Sequence, residues 1–226
     1  VHPYGHPCDM RTIKKIALKY KLKIIEDAAD ALGSYYCGRH VGTFGDFGVL
    51  SFNGNKIITA GAGGAILTNN KFLAKKSKNL VCVAKNPHPY KMTYNDIGYN
   101  YRIPNINAAL LLSQLTRFKS IIGKKRKLFE KYKFFFKNKK NFKLVNEPQN
   151  SKSSYWLQTI IIENLNNIKI EKLIKQFIKN KIFVRAGWEL IPKLKPFRNC
   201  PKMNLKTAIQ IQPKIINLPS SSFLIN

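Results

Sequence analysis

Acidic residues are scarce in this sequence: 11 Asp and Glu stand against 40 Lys and Arg in 226 residues, a formal net charge of +29. An excess of that size ordinarily points to nucleic acid or an anionic membrane surface. Here it is nearly all Lys. Arginine, the side chain that reads phosphates and bases bidentately, is thin and scattered (Arg11, Arg39, Arg102, Arg117, Arg126, Arg185, Arg198). The densest basic stretch, 123–140, interleaves Leu128, Phe129, Tyr132, Phe135 and Phe136 at near-helical spacing. It reads as a long amphipathic helix with a solvated Lys face, in preference to a nucleic-acid-binding surface. Cysteine is also sparse: Cys8, Cys37, Cys82 and Cys200 are far apart and form no C-x-x-C pair. Neither a disulfide framework nor a zinc site is indicated, and the pattern fits a reducing cytoplasm. No apolar run approaches the ~20 residues of a membrane span, and residues 1–5 lack the features of a secretory signal. His2 and His6 are four apart, but Pro3, Gly5 and Pro7 forbid the helix on which that spacing could bind a metal.

With 44% hydrophobic residues, the chain can bury a sizeable core as one large domain or as a domain plus a smaller lobe. Asp9 reads as an N-cap for an amphipathic helix over 9–20, with Met10, Ile13, Ile16, Ala17 and Tyr20 on one face. A strand over 22–25 follows, then a hairpin-like connection over 37–42, a strand over 47–52 and another over 64–68. Helix alternating with strand predicts an α/β fold, a mostly parallel sheet covered by helices.

The stretch 23–64 organises the rest. Asp27 falls where the first strand ends, the edge at which open α/β sheets gather ligands; capping of a turn before Ala28-Ala29 is an equally good reading. Ser51 stands five residues before Lys56, and Gly61-Ala62-Gly63-Gly64 lies just beyond. In so Lys-rich a chain a single lysine is by default a surface residue, but Lys56 sits in a loop of small and polar residues between two strands. A protected lysine can attack a carbonyl. A hydroxyl with backbone N–H donors can hold a phosphate, and glycines permit close backbone approach. Together these are the parts that hold a phosphorylated aldehyde cofactor covalently.

Glu26-Asp27-Ala28-Ala29, then Ser51-Phe52-Asn53-Gly54-Asn55-Lys56 and a Gly-Gly strand, resemble the sugar aminotransferases of the DegT/DnrJ/EryC1/StrS family. The resemblance continues through Gly98-Tyr99-Asn100-Tyr101-Arg102 and Asn217-Leu218-Pro219-Ser220-Ser221, so it covers essentially the whole chain. Within the family, 51–56 and 92–97 look most like the branch making 4-amino sugars for bacillosamine or legionaminic acid. The resemblance implies a fold-type I enzyme dependent on pyridoxal 5'-phosphate, and it assigns roles. Lys56 matches the lysine that anchors the cofactor and moves the proton. Asp27 matches the acid on the pyridine nitrogen, Ser51 a phosphate-binding hydroxyl, and Asn100 a residue reaching the phosphate in the partner subunit of a homodimer. Asp30 stands where relatives carry Gln, Glu or His near the cofactor's phenolic oxygen. Arg185 and Trp188 stand near the substrate position, with Ala186-Gly187 departing from the usual pattern.

Family members carry, ahead of the position of Val1, a first strand, a small-residue phosphate loop and a stacking aromatic, and after the Leu-Pro-Ser-Ser motif a final helix. The resemblance therefore implies a chain shortened at both ends and inactive alone. The expected organisation is a cofactor-binding domain over 1–122, a connecting helix and linker over 123–150, and a small C-terminal domain over 151–226. In the latter we expect strands over 155–162 and 182–185 around a helix over 168–180. The expected function is transfer of an amino group, with glutamate as donor, to a nucleotide-linked keto-sugar, without nucleic-acid or membrane partners. The alternatives are a sugar dehydratase, whose relatives replace the lysine with His, and a non-catalytic basic binding protein.

Overall fold

The computed structural model describes residues 1–164 and 167–225. Along the chain run α1 (Met10–Lys19), β1 (Ile25–Asp27), β2 (Tyr35–Tyr36), β3 (Arg39–His40), β4 (Phe47–Ser51), β5 (Gly64–Leu67), α2 (Lys71–Val81), α3 (Asn105–Thr116) and α4 (Phe118–Phe136). Then come β6 (Phe142–Leu144), β7 (Ser151–Lys152), β8 (Gln158–Ile162), α5 (Asn167–Lys179), β9 (Arg185–Ala186), α6 (Lys206–Ile211) and β10 (Ile215–Leu218). The chain forms two compact units: 1–122 with 147–154, and 123–146 with the residues from 155 onward. No helix among the described residues is long and apolar enough to cross a membrane.

In the first unit Asp9 caps α1, its carboxylate accepting from the Thr12 N–H at 3.1 Å and the Thr12 hydroxyl at 2.7 Å. Met10 and Ala17 are buried, whereas Ile13, Ile16 and Tyr20 stay exposed, so only part of the apolar stripe packs. The strand expected over 22–25 forms later, as β1. Lys21 takes a left-handed conformation (φ 53°), and the N–H groups of Leu22 and Ile24 donate to Ala17 O and the Asp46 carboxylate instead of a ladder. β1 pairs in parallel with β4, Ile25 opposite Phe47 and Asp27 opposite Val49. β4 pairs antiparallel with β5, Ser51 opposite Gly64. β1 and β4 therefore end at one edge of the sheet, and β5 begins there. Behind it lies a core of Met10, Ala28, Ala31, Tyr36, Val41, Leu50, Phe52, Ile58 and Ala60.

The segment 141–154 is not a plain linker. It contributes β6 to the second unit, and β7 to a small sheet of order β3-β2-β7 in the first. Hydrogen bonds hold 147–154 there: the buried Ser34 hydroxyl is 2.9 Å from that of Ser154, and Cys37 N–H donates to Asn150 O at 2.7 Å. Asn105 is the first residue of α3, after Pro104, which has no side-chain cap to offer.

The second unit is an antiparallel sheet of order β6-β8-β10-β9. Its core includes Phe129, Tyr155, Ile160, Ile162, Ile170 and Ile216. The strand expected over 155–162 shortens to β8, and that over 182–185 begins only at its last residue, as β9. The helix expected over 168–180 is α5, with Ile170 buried, Leu173, Ile174 and Phe177 half-buried, and Ile178 exposed. On α4 the Lys face is not uniformly solvated: Lys125 is buried beside Leu128 and Phe129, while Phe135 is exposed.

Candidate active site

The edge where β1 and β4 end carries four of the five residues selected from the sequence. Asp27 closes β1, and its backbone is held from two sides: His2 N–H donates to Asp27 O at 2.9 Å, and Ala28 N–H to Val49 O at 3.0 Å. Its side chain is exposed; Oδ1 accepts from the Ala29 N–H at 3.1 Å, and the other oxygen has no hydrogen-bond partner among the described residues. The turn-capping geometry is thus present, with acceptor capacity left over. Ser51 closes β4 half-buried, its Oγ in only a long contact, 3.4 Å, from the Asn53 N–H.

Lys56 reaches this edge because the loop carrying it is tied at several points. Lys56 N–H donates to Asn53 O in a turn, Phe52 N–H to Gly63 O, and Ala60 N–H back to Phe52 O. Two polar side chains of α3 add to this: Asn107 Nδ2 donates to Ala60 O at 2.5 Å, and Gln114 Oε1 accepts from Thr59 N–H at 3.3 Å. Gly63 has φ 99°, and a Cβ there would stand 3.1 Å from Ile103 Cδ1, so glycine is required. The lysine side chain turns inward, and Nζ donates to Asp30 Oδ1 at 2.6 Å. With side-chain exposures of 15% and 10%, this is a largely buried ion pair, short as a charge-assisted bond should be.

Asn100 lies apart. It is exposed, bridges Cys82 through its backbone, and makes no hydrogen bond to Lys56, Asp27, Asp30 or Ser51. Arg185 and Trp188 belong to the second unit. Arg185 is exposed opposite Asn217 in the sheet, and the Trp188 ring lies 6.1 Å from that of Trp156. Among the described residues no group of three or more His, Cys, Asp and Glu is arranged to hold a metal.

Sequence reasoning missed the acid next to Asp27. Glu26 points to the opposite face of β1, is buried, and accepts from the N–H groups of Gly42, Phe44 and Gly45. His2 Nε2 lies 3.2 Å from Glu26 Oε2, both side chains being 1% exposed. Burial alone would push the Glu26 carboxyl up, but these hydrogen bonds outweigh it and hold it below the usual carboxylate range. Burial likewise opposes charge on His2, yet its bonds to Cys8 and Glu26 raise it above the usual imidazole value. The signal was available in alternation: an acid at an inward strand position must be paired.

A model of the DegT/DnrJ/EryC1/StrS aminotransferase family matches residues 1–225. GDP-perosamine synthase of Escherichia coli O157:H7 is 41% identical over 186 residues, 77% of this chain and 49% of that protein. GDP-perosamine synthase of Vibrio cholerae is 36% identical over 227 residues, 97% of this chain and 60% of that protein. Among solved structures, Helicobacter pylori PseC, an aminotransferase involved in pseudoaminic acid biosynthesis, superposes with a TM-score of 0.92 at 26% identity. That match covers 97% of this chain and 60% of PseC. The chain therefore spans about half to three fifths of the length of these relatives.

Proposed function

The chain belongs to the DegT/DnrJ/EryC1/StrS aminotransferase family and has the fold-type I architecture of pyridoxal-phosphate-dependent transferases, and we propose that its protein transfers an amino group to a nucleotide-linked keto-sugar. The donor in this reading is glutamate, and the product serves cell-surface glycan synthesis. The names of the relatives support a nucleotide-linked sugar as substrate. The observation that carries the reading is the Lys56 amine, held 2.6 Å from a carboxylate at the strand ends where Asp27 and Ser51 also lie.

The residues present fit pyridoxal phosphate. When bound, it supplies an electron-accepting ring at which the amino group is gained and lost. Lys56 offers the amine for covalent attachment and, once displaced, carries the proton at the reacting carbon. Asp27, with an oxygen to spare, would hold the proton on the ring nitrogen. The Ser51 hydroxyl, in only a long contact among the described residues, would donate to the phosphate, and Asp30 is paired with the Lys56 amine.

Asn100 acts in this proposal from the second subunit of a homodimer. Two features support that assembly. α3 is apolar with no buried residue, Ile106 being 86% and Leu112 65% exposed, and the preceding segment exposes Tyr90, Tyr94, Tyr99 and Tyr101. Large apolar side chains left exposed together on a helix mark an interface. A cytoplasmic setting is proposed on the four scattered cysteines, all free.

The test incubates the full-length protein with pyridoxal phosphate, glutamate and a panel of nucleotide-linked keto-sugars. Mass spectrometry should find an amino sugar and an equal amount of 2-oxoglutarate. A cofactor-loaded protein that forms oxoglutarate with none of them would refute the assignment.

A further inference from the structure

We propose that Asp30 is the proton acceptor that frees the Lys56 amine for attack on the cofactor's aldehyde, an inference that rests on the function proposed above. An ammonium group has no lone pair, so Lys56 must lose a proton before its nitrogen can form a bond to carbon. Asp30 Oδ1 lies 2.6 Å from Nζ, with both side chains largely withdrawn from water, so a proton acceptor is in direct contact with the amine.

The two groups reach each other from separately fixed pieces of backbone. Asp30 stands in the turn after β1, closed by Ala31 N–H donating to Ala28 O at 2.9 Å, with Ala28 and Ala31 fully buried. Lys56 stands in the loop tied through Asn53, Ala60 and α3. A donor and an acceptor set on independently fixed pieces of backbone hold their mutual geometry. The two neighbouring acids are differently engaged: Glu26 is occupied by His2 and three backbone N–H groups on the other face of β1, and Asp27 is exposed and bonded to Ala29.

The step balances without an oxidant or reductant. A proton passes from Lys56 Nζ to Asp30 Oδ1, and the lone pair so released forms a C–N bond at the aldehyde carbon. The carbonyl oxygen then leaves as water, taking one proton from the nitrogen and one back from Asp30. The nitrogen ends doubly bonded to carbon with one proton, and Asp30 returns to a carboxylate. Asp30 thus acts as base and then as acid, in a position where the resemblance placed only a contact to the phenolic oxygen.

The test measures cofactor loading, not turnover. Cofactor-free full-length protein is mixed with pyridoxal phosphate, quenched with borohydride at intervals, and the reduced adduct at Lys56 is quantified by peptide mass spectrometry. Asp30→Asn should slow loading by about a hundredfold, the lower part of what a positioned acid–base group contributes, and Asp30→Glu should recover part of the rate. Because Asp30 also belongs to the cofactor site, the rates are compared at saturating pyridoxal phosphate, where a change in affinity no longer contributes. If circular dichroism shows that Asp30→Asn does not fold, Asp30→Ser replaces it, and added formate should restore its loading rate. Loading of Asp30→Asn at the wild-type rate, or no formate rescue of Asp30→Ser, would each overturn the proposal. Wild-type protein that gives no adduct at Lys56 would overturn the proposed function with it, whereas wild-type labelling beside a fast Asp30→Asn overturns this inference alone.

Discussion

Lys125 is the least expected side chain in the second unit, and its burial has a measurable consequence. It is 5% exposed, donates from Nζ to Trp156 O at 3.0 Å and Ser220 O at 2.6 Å, and has no carboxylate partner among the described residues. Burial lowers its pKa from 10.5 to about 8. Between those values the unfolded chain binds more protons than the folded one, so this group makes stability rise with pH from about 8 to 10.5. Below pH 8 the full penalty is present. At about 1.4 kcal/mol per tenfold change, the drop corresponds to about 3 kcal/mol. Lys125→Met removes the charge but also leaves two carbonyls without a donor, at about 1–3 kcal/mol each, so its effect at one pH has no fixed sign. The difference between wild type and variant is the informative quantity, because other titrating groups cancel in it. From pH 7 to 10.5 it should move by about 3 kcal/mol in favour of the wild type, about 1–3 M in urea midpoint. The only two tryptophans, Trp156 and Trp188, both lie in this unit, so their fluorescence follows its unfolding. A difference that stays flat across that pH range would refute the reasoning.

Asp27→Asn is nearly isosteric but cannot hold the ring nitrogen's proton, so turnover should fall by several orders of magnitude while the circular dichroism spectrum is unchanged; near-normal turnover would leave Asp27 as a turn cap. Lys56→Ala and Asn100→Ala subunits, each inactive alone, should regain part of the activity when mixed, because some hybrid sites carry both intact residues. No recovery after verified subunit exchange would mean that the site is built within one chain. Glu26→Gln breaks a buried pair and should lower denaturant stability by about 3–5 kcal/mol near pH 6. The contribution of Glu26, whose pKa is lowered in the fold, is present above its unfolded 4.5 and lost as pH falls through the folded value. That of His2, whose pKa is raised, is present below 6.5 and lost as pH rises through its folded value. The mutational cost should therefore be greatest between about 4.5 and 6.5 and shrink on either side, and a pH-independent cost would contradict the pairing.

The α/β class was legible because helix and strand periods alternate from Asp9 onward and the strands are bounded by glycine and asparagine. What failed was register. The chain turns left-handed at Lys21 and gives Ile24 to Asp46, a partner 22 residues away that no local pattern announces, so β1 forms later than its apolar run suggests. β7 was invisible for the same reason, since two residues become a strand only by pairing with β2, more than a hundred residues earlier. Around the site, motif spacing selected Asp27, Ser51 and Lys56, but the meeting of Lys56 with Asp30 across 26 residues is a tertiary fact. So is the coupling of His2 to Glu26. Lys125 could not be singled out, because on a helix crowded with lysines the buried one carries no compositional mark.

Lys56 is the proposed covalent anchor of pyridoxal phosphate, and one labelling experiment addresses that role directly. The full-length protein is incubated with pyridoxal phosphate, reduced with borohydride, digested and mapped by mass spectrometry. The prediction is a single stoichiometric pyridoxyl adduct on Lys56, lost together with the yellow absorbance in Lys56→Ala, whose circular dichroism spectrum matches the wild type. Labelling spread over surface lysines, or a stoichiometric adduct at another lysine that persists in Lys56→Ala with full activity, would contradict it.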